Sequence, residues 1–261
     1  MRELEWLSVQ NWFRGYGVAF AGEDGQLHPM LQSKTKHSWR VSAYARDIAL
    51  DIGCSPAGVL HAQTAGLLHD VGRFSQFQEF GTFHDPKSID HGERGFTVLS
   101  ADADFARLPV PKRDELLASV RYHNRRFLPQ MPDEERRLTE IVRDADKLDI
   151  FKVILDSLKE AESQNKDSVF LNMAPDGPPN LAILECLRQG RAASYEDIRN
   201  RTDFGLQLLS WVFDLTFDLT CRRLVEQGLV EQLIARLPDD PICREAAGIA
   251  RAQLRKRCEG G

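Results

Sequence analysis

Helical periodicity runs through most of this 261-residue chain, whereas segments that alternate apolar and polar residues are hard to find. Between residues 36 and 52, for example, Trp39, Val41 and Ile48 recur at helical spacing among polar residues. The pair Ser55-Pro56 is typical of a helix start, because serine caps the first turn and proline fits the first helical position. We therefore predict an all-α fold.

Glycine, proline and capping residues bound the predicted helices. We expect helices over 36–52, from Ser55-Pro56 to about Gly72, from His91 to about Ser100, from Pro111 to about Asn124, from Pro132 to about Lys159, over 203–227, and from Pro241 onward. Loops are predicted at 73–90 and 172–180. Because the 203–227 helix is apolar nearly all round, it is predicted to be buried, in the core or in a homodimer interface.

Charge and composition exclude several classes of protein. The formal net charge of −5 gives no support to binding of nucleic acid or anionic membranes. The five cysteines include no CxxC pair, which favours reduced thiols and a cytoplasmic protein. The first residues lack the apolar stretch of a signal peptide, and no segment reaches the ~20 apolar residues of a membrane span. With no linker or repeat, a single domain over 1–261 is expected.

Histidine and aspartate residues form an ordered set that indicates a metal centre. The adjacent pair His69-Asp70 ends an apolar run just before Gly72, where the chain can turn and let both side chains face one cavity. The other residues each lie on a separate predicted helix, as in bundles that build metal sites from inward-facing side chains. The six candidate ligands are His37, His69, Asp70, His91, His123 and Asp146.

The chemistry of these ligands narrows the choice of metal. Imidazole and carboxylate without thiolate suit Mn, Fe, Zn, Co or Ni. Because a carboxylate has two oxygens, Asp70 could bridge two ions while His69 binds one of them. We therefore predict two divalent transition metal ions, whose excess positive charge would favour a phosphate ligand.

Three segments that contain candidate ligands resemble the H…HD…D signature of the HD-domain metal-dependent phosphohydrolases. They are His37-Ser38-Trp39-Arg40-Val41, Leu67-Leu68-His69-Asp70-Val71-Gly72-Arg73 and Arg143-Asp144-Ala145-Asp146-Lys147-Leu148-Asp149. The resemblance covers about residues 30–150 and implies an all-α bundle that hydrolyses phosphomonoesters or phosphodiesters, often of nucleotides. It suggests an HD core at about 30–165 and a helical extension at about 166–261. The GYP signature of cyclic-dinucleotide phosphodiesterases is absent.

The resemblance also implies roles for individual residues. The first ion would be held by His37, His69, Asp70 and Asp146. The second would be held by His91, His123 and the bridging Asp70, as in the binuclear subgroup of the family. Water bridging the two ions would lose a proton near neutral pH and attack phosphorus in line, which makes Asp70 a predicted catalytic residue.

Three basic residues are candidates for contacting the substrate. The resemblance places Arg73, the second predicted catalytic residue, beside the phosphate, where a guanidinium can bind two oxygens; the alternative is a surface pairing with Glu79 or a helix C-terminus. Arg125 could extend a positive rim, and Lys147 could reach a leaving-group oxygen. For these two residues, a solvated charge and a surface salt bridge are the simpler alternatives.

The segment 73–90 carries further candidates. Four aromatic residues recur there at every third position, and we favour a short helical turn packed on the core over a lid above the site: Phe74, Phe77, Phe80 and Phe83. Asp85 and Asp90 could hydrogen-bond the free nitrogen of a ligating histidine. His84 is a weaker candidate ligand, and His28 and His61 are expected to be structural or to lie on the surface.

Three hypotheses for the function follow. The first is a metal-dependent phosphoric ester hydrolase that acts on a nucleotide or another small-molecule phosphate ester. The second is a mixed-valence diiron oxygenase of the same fold, which would cleave a C–C or C–P bond with O₂. The third is a non-catalytic bundle braced by metal ions, although no sensor or effector segment is recognised in its favour.

Overall fold

The computed structural model describes residues 1–164 and 177–259. Within these ranges every regular element is a helix, apart from an isolated antiparallel bridge between Ala21 and Leu27. The predicted all-α fold is confirmed. No helix in the same ranges has both the length and the apolar character needed to cross a lipid bilayer.

The chain divides into two compact units, Met1–Asp146 and Lys147–Gly261. The first unit contains α1 (Glu3–Val18), α2 (Pro29–Asp51), α3 (Pro56–Leu68), α4 (Gly72–Phe80), α5 (His91–Ala101), α6 (Ala103–Arg107), α7 (Arg113–Tyr122) and the start of α8 (Asp133–Gln164). The second contains the rest of α8, then α9 (Leu181–Arg188), α10 (Arg201–Ser210), α11 (Asp218–Glu226), α12 (Leu229–Ile234) and α13 (Pro241–Glu259). Short 3₁₀ helices lie at Asp85–Lys87, Tyr195–Asp197 and Trp211–Phe213. The expected single domain over 1–261 stays a prediction.

Side-chain caps fix the starts of two helices that carry candidate ligands. The Ser55 hydroxyl accepts a hydrogen bond from the backbone N–H of Gly58 at the start of α3. Asp90 accepts the N–H groups of Gly92 and Glu93 at the start of α5. Both predicted helix starts are confirmed, and the Asp90 cap makes His91 the first residue of α5.

Close packing of α2 against α3 depends on Gly66. A Cβ atom at this position would lie 2.9 Å from the carbonyl oxygen of Val41 and 3.0 Å from Cβ of Ala45. Only glycine lets the two helix backbones approach this closely without displacement. The approach brings His37 on α2 next to His69 at the end of α3.

A second close contact joins the start of α4 to α5. A Cβ atom at Gly72 would overlap the carbonyl oxygen of His91 and lie 2.6 Å from the backbone nitrogen of Gly95. Because residue 72 has no side chain, the turn after Asp70 packs directly against the first turn of α5. This contact is what brings His91 to Asp70.

The prediction of a loop over 73–90 is wrong in its first half. Residues Gly72–Phe80 form α4, which ends at Gly81 in the left-handed conformation with φ of 66°. The three-residue spacing of the aromatics places Phe74 on the inner face, where it is fully buried, and Phe77 packs against the same core. The favoured interpretation of a helical turn packed on the core therefore holds for this segment.

The prediction of one helix over 203–227 is also wrong. Helix α10 ends at Ser210, a 3₁₀ turn follows at Trp211–Phe213, and α11 begins only at Asp218. The intervening residues are rich in aromatic and β-branched side chains, which have low helix propensity. Apolar residues before the break and within it, such as Leu209 and Leu215, are buried, so periodicity alone did not reveal it.

Two further differences from expectation concern helices at the start of the chain. Helix α1 was not predicted, although its apolar residues Val9 and Phe13 are fully buried in the core of the first unit. Helix α2 begins at Pro29 rather than near residue 36. Residues 177–180 of the predicted loop are non-helical, and 172–176 lie outside the described residues.

Candidate metal centre

The fold of the first unit brings the six predicted ligands together. His37 lies in the middle of α2, His69 and Asp70 directly follow α3, His91 begins α5, His123 directly follows α7, and Asp146 lies on α8. The four histidines and Asp70 are buried, and Asp146 is partly exposed. Side chains far apart in the sequence thus meet in one place that excludes most water.

One group of donor atoms surrounds the Nε2 atom of His37. It lies 3.2 Å from Nε2 of His69, 3.1 Å from Oδ1 of Asp146 and 3.5 Å from Oδ2 of Asp70. Ligands bound at ~2.1 Å to one ion lie about 3.0 Å apart at right angles and about 3.4 Å apart in a tetrahedron. The observed separations therefore match those of donors around a single cation.

A second group lies on the other side of Asp70. The Nε2 atoms of His91 and His123 are 3.0 Å apart, and they lie 3.5 and 3.8 Å from Oδ1 of Asp70. Asp70 thus offers Oδ2 to one pair of imidazoles and Oδ1 to the other. Each group has enough donors to hold an ion, with Asp70 shared between them.

Hydrogen bonds on the far side of the rings set the protonation of the histidines. Nδ1 of His69 donates to the carbonyl of Gly66, and Nδ1 of His123 donates to that of Val120, both at 2.8 Å. Because a carbonyl can only accept, each Nδ1 carries the hydrogen and each Nε2 presents a lone pair. Lone pairs that converge at these distances repel one another unless a cation lies between them.

Burial keeps two of these imidazoles neutral. It lowers the pKa of His69, and, together with the charge of Arg73, it lowers the pKa of His91 to about 4. A neutral imidazole is the form that binds metal ions. The donor set therefore fits a divalent cation without first having to release protons from these two rings.

The two carboxylates are charged despite their burial. Burial raises the pKa of Asp70, but the charge of Lys34 above all, together with that of Arg73, holds it well below its usual value. Burial likewise raises the pKa of Asp146, but the hydrogen bond from His37 opposes this effect and helps to hold the pKa well below its usual value. Both aspartates are therefore anionic oxygen donors at neutral pH.

A comparison with protein families identifies the region that holds this centre. Residues 35–150 match the family model described as HD domain, and this range contains all six residues. The chain contains an HD domain. HD domains bind divalent metal ions, and the family consists mostly of metal-dependent hydrolases. Neither the curated proteins nor the solved structures compared with the chain give a significant match.

Asp85 hydrogen-bonds to a histidine of the second group of donor atoms. Its Oδ2 accepts a hydrogen bond from Nδ1 of His91 at 2.5 Å, which confirms the contact predicted for this residue. Asp90 differs from the prediction, because it caps α5 and accepts from the side chain of Asn124 instead of from a histidine. His84 is exposed, and no group of candidate ligands in the described residues includes it.

Arg73 is anchored beside Asp70. Its Nη1 donates to Gln76, to the carbonyl of Phe83 and to Asp85, at 2.9, 2.6 and 2.7 Å. Its Nε is buried without a hydrogen-bond partner and lies 3.5 Å from Oδ1 of Asp70. The alternative pairing with Glu79 is wrong, because Glu79 pairs with Arg94.

The other two basic candidates form ion pairs. Arg125 lies 3.1 Å from both Asp90 and Glu93 and is partly exposed. Nζ of Lys147 lies 3.0 Å from Oδ2 of Asp214. Substrate contacts of Arg125 and Lys147 therefore stay predictions.

Sequence reasoning missed two residues of the centre. Nζ of Lys34 lies 2.7 Å from Oδ2 of Asp70, and Gln76 is fully buried with its amide donating to Asp85. Each stands three residues from a residue already singled out, His37 and Arg73 respectively. That helical spacing, which puts two side chains on one face, was the available signal.

Two further histidines, His28 and His61, lie outside the centre. His28 caps α2 by accepting from the backbone of Met30, and its ring lies 4.7 Å from that of Phe77. His61 is buried near Glu115, and burial lowers its pKa to about 4. Neither residue belongs to a group of candidate ligands in the described part of the chain.

Proposed function

We propose that this protein is a metal-dependent phosphohydrolase that acts on a nucleotide or another small phosphate ester with two divalent transition metal ions. The observation that carries the proposal is the position of Asp70, whose two oxygens face two separate pairs of imidazoles. This is the arrangement expected of a carboxylate shared by two cations. The match to the HD domain family supports the proposal, because this family consists mostly of metal-dependent hydrolases.

The ion-binding roles are proposed as follows. One ion would be held by His37, His69, Asp70 and Asp146, and the other by Asp70, His91 and His123. When bound, such ions lower the pKa of coordinated water and neutralise the charge on phosphoryl oxygens. No side-chain nucleophile is required in this scheme.

The chain's own residues would orient the phosphate. The Arg73 guanidinium is held in place through Nη1, which leaves its unpartnered Nε directed toward the centre. A pre-oriented guanidinium binds a phosphoryl oxygen without paying the full cost of ordering a long side chain. Asp85 links this arginine to His91, so the substrate contact and a candidate ligand share one anchor.

The proposal is tested by phosphate release from a panel of phosphate esters. Metal-free protein is reloaded separately with Mn²⁺, Co²⁺, Ni²⁺, Zn²⁺ or Fe²⁺, and inorganic phosphate is measured. Asp70→Asn is expected to abolish release, whereas Asp104→Asn, the same change at a highly exposed position, is expected to leave it unchanged. The esters from which phosphate is released then indicate the substrate class.

The oxygenase hypothesis gives the opposite outcome in the same experiment. Iron-loaded protein that consumes O₂ in the presence of a polyol or a phosphonate, and that releases no phosphate from any ester, contradicts the proposal. Phosphate release without O₂ consumption supports it.

A further inference from the structure

Lys34 reaches the metal centre from the same face of α2 as His37. Its Nζ lies 2.7 Å from Oδ2 of Asp70, and its side chain is only 22 % exposed. That oxygen also faces His37 and His69, at 3.5 Å from each Nε2. The ammonium group therefore lies at the edge of the first group of donors.

Lys34 and Arg73 lie near different oxygens of the Asp70 carboxylate. Lys34 approaches Oδ2, whereas Nε of Arg73 lies 3.5 Å from Oδ1. Both cations also lie over the ring of Phe83, at 5.5 Å for Nζ of Lys34 and 5.8 Å for Cζ of Arg73. The two side chains thus form a pair of cations over the Phe83 ring, next to the proposed metal positions.

Metal binding would weaken the ion pair between Lys34 and Asp70. Asp70 is the one acid within ion-pair distance of its ammonium among the described residues. Divalent ions on both oxygens of Asp70 would compete for that charge and repel the ammonium. An incoming anion would restore a partner for Lys34 at the same place.

Resting on the proposed phosphohydrolase function, we propose that Lys34 is a phosphate-binding residue that exchanges Asp70 for a phosphoryl oxygen of the substrate. Together with Arg73, it selects a phosphomonoester over a phosphodiester. A terminal phosphate carries a charge of about −1.5 to −2 at neutral pH and offers three free oxygens. A diester carries a single charge and offers two, so it cannot satisfy two cations and the metal centre equally well.

The experiment compares Lys34→Met with Lys36→Met in the Mn²⁺-loaded full chain. Lys36 is exposed on the same helix, so its change removes the same charge at a position away from the centre. Isothermal titration measures the dissociation constant for inorganic phosphate, and manganese content is measured in parallel. The kcat/KM values for p-nitrophenyl phosphate and bis(p-nitrophenyl) phosphate report the choice between monoester and diester.

We expect Lys34→Met to weaken phosphate binding by about 10- to 100-fold, the effect of losing a hydrogen bond to a charged group. The kcat/KM for the monoester should fall by a similar factor and that for the diester by a much smaller one. Lys36→Met should match the wild type. If Lys34→Met fails to fold, Lys34→Gln, which keeps the length and a polar head group, provides the same measurement.

Three results would count against the proposal or separate it from the proposed function. Unchanged phosphate affinity in Lys34→Met, with ester hydrolysis retained, overturns the role of Lys34 and leaves the phosphohydrolase standing. Loss of manganese from this variant also overturns it, because Lys34 would then act on the metal ligands. Wild-type protein that binds phosphate through Lys34 but cleaves neither ester upholds the phosphate site and contradicts the hydrolase.

Discussion

Nδ1 of His91 donates to Asp85 at 2.5 Å, and this contact directs Nε2 of His91 toward Asp70. The same carboxylate holds Arg73 at 2.7 Å. Burial raises the pKa of Asp85, but hydrogen bonding to His91 and the charge of Arg73 bring it well below its usual value. One anionic side chain outside the ligand groups therefore supports both a candidate ligand and a candidate phosphate contact.

Asp85→Asn should weaken metal binding without unfolding the domain. The amide keeps the shape of the carboxylate but loses the charge that orients His91, and loss of such a contact costs about 10- to 100-fold in metal affinity. The Mn²⁺ dissociation constant is measured by isothermal titration calorimetry. Asp104→Asn serves as the control, since Asp104 is highly exposed. Equal affinities for the two variants would show that Asp85 does not tune the ligand.

His123→Gln should remove one ion and retain the other. His123 contributes to the group on the Oδ1 side of Asp70, whereas His37 belongs to the Oδ2 side. Metal analysis of loaded protein is expected to give two equivalents in the wild type and one in the variant. His84→Gln, the same change at an exposed histidine, should leave two. A single equivalent in the wild type would rule out the two-ion centre.

Gly72→Ala should destabilise the protein, because the new methyl group would overlap the carbonyl oxygen of His91. Overpacking of this kind costs about 1–3 kcal/mol in the free energy of unfolding. Gly15→Ala on α1 is the matched control, since a Cβ there meets no atom within 4 Å. It should instead stabilise the protein by about 0.5–1 kcal/mol, the usual gain for glycine to alanine in a helix. Denaturant unfolding measures both, and the same sign in the two variants would contradict the packing argument.

His61 should make the first unit sensitive to acid. Burial lowers its pKa to about 4, with Glu115 partly opposing the shift and Lys112 and the N-terminal amino group adding to it. Because histidine in the unfolded chain has a pKa of about 6.5, the unfolded state binds more protons below this pH, and stability falls as the pH drops toward 4.

The corresponding experiment follows the free energy of unfolding of metal-free protein between neutral pH and pH 4. His61→Gln cannot titrate, so it should lose about 2–3 kcal/mol less than the wild type over this range. His84→Gln is the control, because His84 is exposed. Parallel curves for wild type and His61→Gln would show that His61 does not contribute to acid sensitivity.

The ligand residues could be predicted from the sequence because their chemistry restricts residue type. Histidines and aspartates isolated on separate helices, such as His37 and Asp146, are conspicuous, and the dipeptide His69-Asp70 adds a local signal. Lys34 could not be predicted in the same way, since a lysine on a helix is ordinarily solvated. Its inward position depends on the close crossing of α2 and α3 at Gly66, which is a property of the folded backbone.

The errors in helix boundaries have a similar origin. The break after Ser210 is masked because apolar residues continue through it, and their burial is decided by packing rather than by local propensity. The opposite error at α4 arose from Gly81, Pro86 and the several aromatic residues of this segment, which suggested a loop. In both segments tertiary contacts override the local pattern.

The adjacency of His69 and Asp70 has a consequence for metal loading. A single peptide bond joins a donor of one group to the carboxylate that both groups share. Any backbone shift that improves the fit of the first cation also moves an oxygen of the second. Occupancy of the two positions is therefore coupled through the chain itself, so a substitution that alters the fit of one ion is expected to change the affinity for the other as well.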